Sequence, residues 1–223
     1  MRCGDGGGGV TLSADLWAAN ADLAAEALAH PFVAGIGDGT LPRAAFAGYV
    51  AQDAFFLESF ARAYALGVAH SPDRATLDVF ADLLAGVREE LRLHAGYAER
   101  WGIDLARVEP LPATLAYTDF LLATASLGGV ALTAAAMTPC MRLYAHLGRS
   151  LSAERAGDYA EWVTTYAGPA FDELTAALED LLDASTDDVP AVRRAYRRAM
   201  QLEVGFFDAA WAGAGPGEQA SAP

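Results

Sequence analysis

The sequence predicts an all-α protein, a single helical bundle, on three observations. Apolar residues make up 53% of the 223-residue chain and recur every three or four positions along most of its length. That spacing places them on one face of a helix, and no segment stands out for the alternation typical of a half-buried strand. Short turns separate long helical segments, so neighbouring helices should pack around one core.

The first helix is predicted over residues 14–29, after Ser13, because a serine side chain can satisfy free N–H groups at a helix start. A His-Pro pair should end this helix, and the glycines and proline of residues 35–42 predict a turn. A long helix over 43–70 follows, because its aromatic residues recur at three- and four-residue spacing.

The middle of the chain is predicted to form three more helices. Asp73 is a suitable cap for the first of them, which should end near Trp101. A loop that contains two prolines is predicted over 102–112. Helices over 115–126 and 130–147 come next, separated by a Leu-Gly-Gly break.

The last third of the chain should also be helical. Gly148 is predicted to end the preceding helix, because glycine readily takes the left-handed conformation of a helix C-terminus. The next helix begins within 152–154, is kinked or restarted by a Gly-Pro pair at 168–169, and continues to about residue 182. The final helix is predicted over 190–211, because proline suits a first helical turn.

We expect one domain over residues 11–212. The flanking segments 1–10 and 213–223 are rich in Gly, Ser, Pro and Ala, and we expect them to be disordered tails. The sequence contains neither a secretory signal nor a run of about 20 apolar residues, which a membrane span needs. With one cysteine in the expected domain, Cys140, no disulfide framework is expected and a reducing cytoplasm is the predicted location.

The charge of the chain narrows the choice of partners. The formal net charge is −14, and all 15 basic residues are arginine. An acidic surface repels both nucleic-acid phosphates and anionic lipids. Neither nucleic acid nor a membrane is therefore an expected partner.

Cys140 is the first residue that could carry chemistry. It lies in a nearly uncharged segment, directly after Pro139 and one helical turn before Tyr144. A buried cysteine is most often a small core residue. A tyrosine one turn away, however, could orient a substrate beside the thiol and supply a hydroxyl.

Two carboxylates are predicted to lie on apolar helical faces, where the burial of an acidic side chain has to be explained. Asp53 shares a face with Tyr49 and Phe56, and Glu203 lies one turn from Phe206. A buried carboxylate is costly unless it is paired, hydrogen-bonded or protonated. Each is therefore either a structural partner of other side chains or part of a pocket. Burial should raise the pKa of Glu203 toward neutrality, as a proton donor requires.

Other polar residues on apolar faces give weaker signals. Tyr117 and Tyr166 lie on two further helices, where an aromatic residue usually belongs to the core. Glu90 and His94, four residues apart, could bind a metal on a helix. A di-iron bundle needs a second Glu/His helix and further carboxylates. We therefore interpret Glu90 and His94 as a hydrogen-bonded pair, and expect no metal and no cofactor.

Seven short motifs, each weakly specific, follow one another in the order typical of one family. Over about residues 16–211 the chain resembles the TenA family, also called thiaminase II or aminopyrimidine aminohydrolase, in its cysteine-containing subgroup. The motifs are His30-Pro-Phe-Val33 with Asp38-Gly-Thr-Leu41, Tyr49-Val-Ala-Gln-Asp53, Glu90 with His94, Tyr117-Thr118, Pro139-Cys-Met-Arg-Leu-Tyr144, Trp162 with Tyr166, and Glu203-Val-Gly-Phe206-Phe207.

The resemblance implies a fold, a reaction and an assembly. The fold would be similar to that of haem oxygenase, with one deep internal pocket and no haem. The reaction would hydrolyse an aminomethyl-pyrimidine, and thiamin as well, to hydroxymethyl-pyrimidine in thiamin salvage. The partner would be this small pyrimidine substrate, and the protein would be a homotetramer that needs no cofactor.

The resemblance also implies roles for the three reactive residues. Cys140 would be the nucleophile that adds to the pyrimidine ring. Glu203 would exchange a proton with a ring nitrogen. Asp53 would hold the exocyclic amine and help to activate the thiol. An electron-poor ring accepts a thiolate once its nitrogen is protonated, and the leaving group can then depart without a cofactor.

The remaining roles concern binding. The resemblance implies that Tyr144 and Tyr166 bind the ring or its leaving group, and that Tyr117 and Phe206 form stacking walls. Phe56 departs from the family pattern, which has an aromatic hydroxyl at this position. This departure favours a second hypothesis, a pyrimidine-binding or regulatory protein with weak turnover. A third hypothesis, an iron oxidase of the same fold, lacks further ligands.

Overall fold

The computed structural model describes residues 10–186 and 188–213, apart from the side chain of residue 106. This part of the chain contains ten α-helices, two short 3₁₀ turns and no strand, which confirms the predicted all-α class. The helices are α1 (Leu12–Ala18), α2 (Ala21–Ala29), α3 (Pro31–Asp38), α4 (Arg43–His70), α5 (Arg74–Trp101), α6 (Pro112–Leu127), α7 (Gly129–Ser150), α8 (Ala160–Tyr166), α9 (Pro169–Ser185) and α10 (Pro190–Ala212).

The predicted tails fall almost entirely outside the described residues. Of the segments 1–10 and 213–223, the structure describes only residues 10 and 213. Among the helices that are described, none is long and apolar enough to cross a membrane.

Helices α4 and α5 agree with the predicted spans and pack along each other. Asp73 caps α5 as expected, because its carboxylate accepts a hydrogen bond of 2.8 Å from the backbone N–H of Thr76. Gly102 ends α5 with a φ of 70°. Since the connection between α4 and α5 is short, the two helices run antiparallel and form one side of the bundle.

The single helix predicted over 14–29 is wrong, because α1 and α2 are separate. The Asn20 side chain donates a 2.8 Å hydrogen bond to the carbonyl of Leu16 and is buried where the chain turns. Thr11, not Ser13, accepts the capping hydrogen bond of α1. Ser13 instead donates its N–H and its hydroxyl to Asp183, at 2.7 and 2.8 Å, and so ties α1 to α9.

The first half of the turn predicted over 35–42 belongs to the helix α3. Pro31 occupies its first turn, and His30 caps it by accepting a hydrogen bond of 3.1 Å from Phe32 N–H. A His-Pro pair can therefore start a helix as well as end one. The turn begins only at Gly39, whose φ of 72° suits glycine.

Gly148 does not end a helix, contrary to the prediction, because α7 continues to Ser150. A Cβ at Gly148 would lie 2.6 Å from the backbone of Tyr166 and Ala167. Glycine is therefore needed for the close approach of α7 and α8. This contact positions Tyr166 against the segment of α7 that follows Cys140.

Other boundaries differ by a few residues. Helix α6 begins at Pro112, three residues early, because proline fits the first helical turn. The segment 152–159 contains a 3₁₀ turn, Gly157–Tyr159, before α8 begins. The Gly-Pro pair restarts the chain as α9, and α10 spans 190–212, both close to the prediction. The core lies between α4, α6, α7 and α10, with α5, α8 and α9 packed around it.

Candidate active site

The thiol of Cys140 lies inside the bundle on α7. Its neighbours Pro139 and Met141 are buried, whereas Cys140 itself keeps a partly accessible surface. Burial raises the pKa of the thiol well above its usual range, and the nearby acids Glu203, Glu90 and Asp53 raise it further. The resting form is therefore a neutral thiol, and a nucleophilic reaction needs a base beside it.

Glu203 is the acid that contacts this thiol. It projects from α10, is 2% exposed, and accepts hydrogen bonds from the Cys140 thiol and from the Tyr117 hydroxyl, the latter at 2.6 Å. Burial raises the pKa of Glu203 to about 7, and the two hydrogen bonds oppose this rise. As the sequence predicts, the carboxyl can give or take a proton near neutral pH. Its hydrogen-bonding partners are therefore the Tyr117 hydroxyl and the Cys140 thiol.

Asp53 forms a buried ion pair with His94. The Asp53 carboxylate on α4 accepts a hydrogen bond of 2.6 Å from Nε2–H of His94 on α5. The other ring nitrogen, Nδ1, faces the backbone carbonyl of Glu90 at 3.0 Å. Since both partners are acceptors, the ring carries two protons and is an imidazolium. Burial alone would lower the pKa of His94, but the Asp53 charge overrides it and raises the pKa to about 9.

Glu90 does not pair with His94 through its side chain, in contrast to the interpretation from the sequence. Its carboxylate accepts a hydrogen bond of 2.5 Å from the Tyr166 hydroxyl. Burial, and then the charge of Asp53, raise the pKa of Glu90 to about 7. Glu90 also lines a cavity of about 380 Å³ between α5 and α9, whose other walls are mostly apolar.

The aromatic candidates surround these acids. Phe56 contacts Tyr117 with ring centroids 4.8 Å apart, and contacts Phe206 at 5.9 Å. The rings of Tyr144 and Tyr166 meet edge to face at 4.8 Å. The Tyr117 hydroxyl points at Glu203, so this residue is a hydrogen-bond donor as well as a wall. The structure thus brings the eight predicted site residues into one region.

Three residues that were not predicted to take part in catalysis or substrate binding belong to the same region. His94 holds Asp53, and Tyr49 donates a hydrogen bond of 3.3 Å to the Tyr144 hydroxyl. Trp162 donates to the Tyr49 hydroxyl, also at 3.3 Å. Tyr49 and Trp162 look like ordinary core aromatics in the sequence. Only the direction of their polar atoms reveals that they orient Tyr144.

The two residues considered as metal ligands are engaged elsewhere, Glu90 with Tyr166 and His94 with Asp53. Over residues 10–186 and 188–213, no group of three or more His, Cys, Asp or Glu side chains is arranged to hold a metal ion.

The chain is similar in sequence to known proteins. It is 36% identical over 195 residues to the aminopyrimidine aminohydrolase of Halalkalibacterium halodurans, and this match covers 82% of this chain and 87% of that protein. It is 34% identical over 209 residues to the mitochondrial bifunctional TH2 protein of Arabidopsis thaliana. That match covers 80% of this chain but only 34% of the plant protein, so the chain spans about a third of its length.

A solved structure and a family model agree with these relatives. The crystal structure of a TenA family transcription regulator from Silicibacter sp. TM1040 superposes with a TM-score of 0.84 at 30% identity, covering 93% of this chain and 98% of that chain. The model of the TENA/THI-4/PQQC family matches residues 17–213, which include every candidate site residue. The chain therefore belongs to the TENA/THI-4/PQQC family, as its motifs suggested.

Proposed function

We propose that the protein is a C–N hydrolase that converts an aminomethyl-pyrimidine to hydroxymethyl-pyrimidine in thiamin salvage. The observation that carries the proposal is the contact between the Cys140 thiol and the Glu203 carboxyl, which pairs a nucleophile with a base inside the bundle. The name of the Halalkalibacterium relative, aminopyrimidine aminohydrolase, supports the same reaction.

The first step is addition of sulfur to the pyrimidine ring. Glu203 in its carboxylate form takes the proton of Cys140 while the sulfur forms a bond to a ring carbon. The same carboxyl then gives this proton to a ring nitrogen, which accepts the electron pair displaced by the sulfur. Because the pKa of the thiol is raised, proton transfer and bond formation must be coupled.

The second step is exchange of the leaving group for water. Because the addition removes the aromaticity of the ring, the electron pair on the ring nitrogen can expel the amine by breaking the exocyclic C–N bond. Water then adds to the exocyclic carbon and loses a proton. The C–S bond finally breaks, the ring regains its aromatic form, and the proton returns to the thiolate through Glu203.

The remaining site residues hold the ring in place. One oxygen of Asp53 is occupied by His94, and the carboxylate is available to the exocyclic ring amine on its other side. The His94 imidazolium pairs with the Asp53 carboxylate, and a carboxylate is a strong hydrogen-bond acceptor for an amine. Tyr144 and Tyr166 present hydroxyls, while Phe56, Tyr117 and Phe206 supply flat apolar walls for the ring.

The proposal also covers the assembly, location and partners of the protein. One domain over residues 11–212 acts as a homotetramer in the cytoplasm, without a cofactor and without nucleic acid as a partner. The net charge of −14 supports the last point, because it opposes binding to phosphate backbones. The family resemblance supports the tetramer.

A second function, binding of a pyrimidine without turnover, is favoured by one observation at the site. Phe56 stacks beside Tyr117 and has no hydroxyl, so a hydrogen-bonding group typical of the family is missing next to Glu203. The Silicibacter structure at 30% identity is described as a transcription regulator, which agrees with this alternative.

One experiment separates the two functions. The purified protein is incubated with aminomethyl-pyrimidine and, separately, with thiamin, and hydroxymethyl-pyrimidine is followed by chromatography. Hydrolysis is expected with the parent protein and should disappear in Cys140→Ala, which loses the nucleophile but little packing. Binding of both compounds without any product would support the regulatory alternative, and turnover by Cys140→Ala would contradict the covalent mechanism.

A further inference from the structure

The mechanism above gives no role to Glu90, although this acid lies among apolar side chains. Its carboxyl is a wall of the 380 Å³ cavity, where its neighbours include Val87, Met141 and Phe171. The only described hydrogen bond of the Glu90 side chain comes from the Tyr166 hydroxyl. An acid in such a place is costly to ionise unless a cation joins it.

Two residues of the cavity wall, Glu90 and Met141, link the cavity to the thiol of Cys140. Met141, which lines the cavity, directly follows Cys140 along α7. Glu90 is close enough to the thiol for its charge to raise the thiol pKa. A volume of about 380 Å³ suffices for a small molecule or for one part of a larger ligand.

The chemistry of the substrate explains why an acid would be useful at this place. The aminomethyl group is an alkylamine and is protonated at neutral pH, like a lysine side chain. Entering an apolar cavity as a cation is unfavourable unless an anion receives it. The His94 imidazolium next to Glu90 does not fill this role, because Asp53 already neutralises it.

We infer that Glu90, held by Tyr166, binds the cationic leaving group of the substrate and so makes the site selective for an aminomethyl over an uncharged substituent. This inference rests on the proposed function, since it names the part of the substrate that occupies the cavity. Glu90 contacts the departing amine, whereas Asp53 contacts the amine that stays on the ring.

In the exchange step, Glu90 would also transfer a proton from water to the departing amine. The protonated amine leaves as neutral ammonia, and the electron pair of the broken C–N bond stays on nitrogen. Water forms the new C–O bond and gives one proton to the Glu90 carboxylate. Glu90 passes that proton to ammonia, so the products are the hydroxymethyl compound and an ammonium ion.

Binding in a protein that cannot turn over tests the inference. Calorimetry on Cys140→Ala and on Cys140→Ala with Glu90→Gln compares two ligands of nearly equal shape, cationic aminomethyl-pyrimidine and neutral hydroxymethyl-pyrimidine. Glutamine keeps the size of Glu90 and an acceptor for the Tyr166 hydroxyl. Glu99→Gln in the same background is the control, because Glu99 is an exposed glutamate of the same helix that does not line this cavity.

Glu90→Gln is expected to weaken binding of the cationic ligand much more than binding of the neutral one. Glu90→Gln should weaken binding of the aminomethyl compound by about 10- to 100-fold, as for loss of a hydrogen bond to a charged group. Binding of the hydroxymethyl compound should change less than about 3-fold, which also shows that the variant is folded. Glu99→Gln should change neither affinity.

Two results would contradict the inference, and they have different consequences for the proposed function. If both ligands bind Cys140→Ala and Glu90→Gln leaves the ratio of their affinities unchanged, Glu90 does not recognise the amine, and the proposed function stands. If neither ligand binds Cys140→Ala, the proposed function fails and this inference fails with it.

Discussion

At the residue scale, one carboxyl group connects Cys140, the proposed nucleophile, to the rest of the candidate site. Glu203 receives hydrogen bonds from both Cys140 and Tyr117, and its pKa lies near 7. A group with this pKa can take a proton from the thiol and return it within one turnover, which an ordinary glutamate with a pKa of 4.5 would do less well. The burial that makes the thiol a weak acid therefore also makes Glu203 a stronger base.

Glu203→Gln should lower the rate of hydrolysis by about 10²–10⁴-fold while leaving the fold intact. Glutamine can still accept the hydrogen bond of Tyr117, but it cannot carry the proton between sulfur and ring. Steady-state rates with aminomethyl-pyrimidine check this. Glu26→Gln, an exposed position, is the control and should keep full activity. A Glu203→Gln protein as active as the parent would limit Glu203 to a structural role.

Phe56→Tyr should restore a hydroxyl that the site lacks. Phe56 is 4% exposed and lies against Tyr117, so the added oxygen enters the surroundings of Glu203. A hydrogen bond to a charged group is worth about 1.5–3 kcal/mol. Donated to the Glu203 carboxylate, it would lower the pKa of that carboxyl by about one to two units.

Two measurements follow for Phe56→Tyr. Hydrolysis of aminomethyl-pyrimidine should become up to about 2-fold faster at pH 7, where Glu203 is already about half in its basic form, and several-fold faster at about pH 6, where more of Glu203 becomes basic. The acidic limb of the pH profile of kcat/KM should also move to lower pH. An unchanged rate together with an unchanged profile would mean that Tyr117 already supplies the hydrogen bond that Glu203 needs.

At the element scale, the sequence predicts long helices well and short ones poorly. The bounds of α4 and α5 follow from unambiguous sequence signals. Examples are the Asp73 cap at the start of α5 and the glycine at 102 that ends it. A His-Pro pair can either end or start a helix, and only the packing of the chain determines that Pro31 starts α3. Gly148 likewise serves a close contact between helices, which local sequence patterns do not encode.

The same limit applies to the site. Asp53, Cys140 and Glu203 were identified as candidates because a polar group on an apolar helical face needs an explanation. Their partners could not be identified this way. His94 lies 41 residues from Asp53, and Tyr117 lies 86 residues from Glu203, so these pairs form only when the helices pack.

Gly148→Ala should impair both stability and activity. The new Cβ would lie 2.6 Å from the backbone of α8, so α7 and α8 must separate. Overpacking of this kind costs about 1–3 kcal/mol of the free energy of unfolding. Because α8 carries Tyr166, the displacement should also weaken the Tyr166–Glu90 hydrogen bond and slow hydrolysis.

Gly96→Ala is the matched control for this change. Gly96 is exposed in the interior of α5, and a Cβ there meets nothing within 4 Å. Alanine should stabilise the protein by roughly 0.5–1 kcal/mol, since glycine is a poor helix former. Urea unfolding of both variants measures the difference. Equal stabilities would show that the close contact at Gly148 relaxes without cost.

At the scale of the whole molecule, the site makes the stability of the fold depend on pH. Glu90 and Glu203 each have a pKa of about 7 in the folded protein, against an ordinary value of 4.5. His94 has a pKa of about 9, against 6.5. All three groups therefore hold a proton in the folded state at pH values where the unfolded chain has lost it.

The sign of the effect follows from this difference. The contribution of His94 is fully present below pH 6.5 and is lost as the pH rises through 9. The two glutamates cost stability as the pH rises from 4.5 to 7, because only the unfolded state ionises there. Each proton contributes a slope of about 1.4 kcal/mol per pH unit. The net charge of −14 adds self-repulsion in the same direction.

We therefore expect the free energy of unfolding to be highest near pH 5 and to fall toward pH 9, steeply up to pH 7 and less steeply beyond. Urea titrations at pH 5, 6, 7, 8 and 9 measure the two slopes. The double variant Glu90→Gln with Glu203→Gln should flatten the part below pH 7, because amides do not ionise, and leave the part above pH 7 to His94. The assignment of these protons to the buried site is wrong if the double variant keeps the slope of the parent below pH 7. If it does flatten, the two glutamates that are proposed to handle substrate charge and protons also lower the stability of the bundle between pH 4.5 and 7.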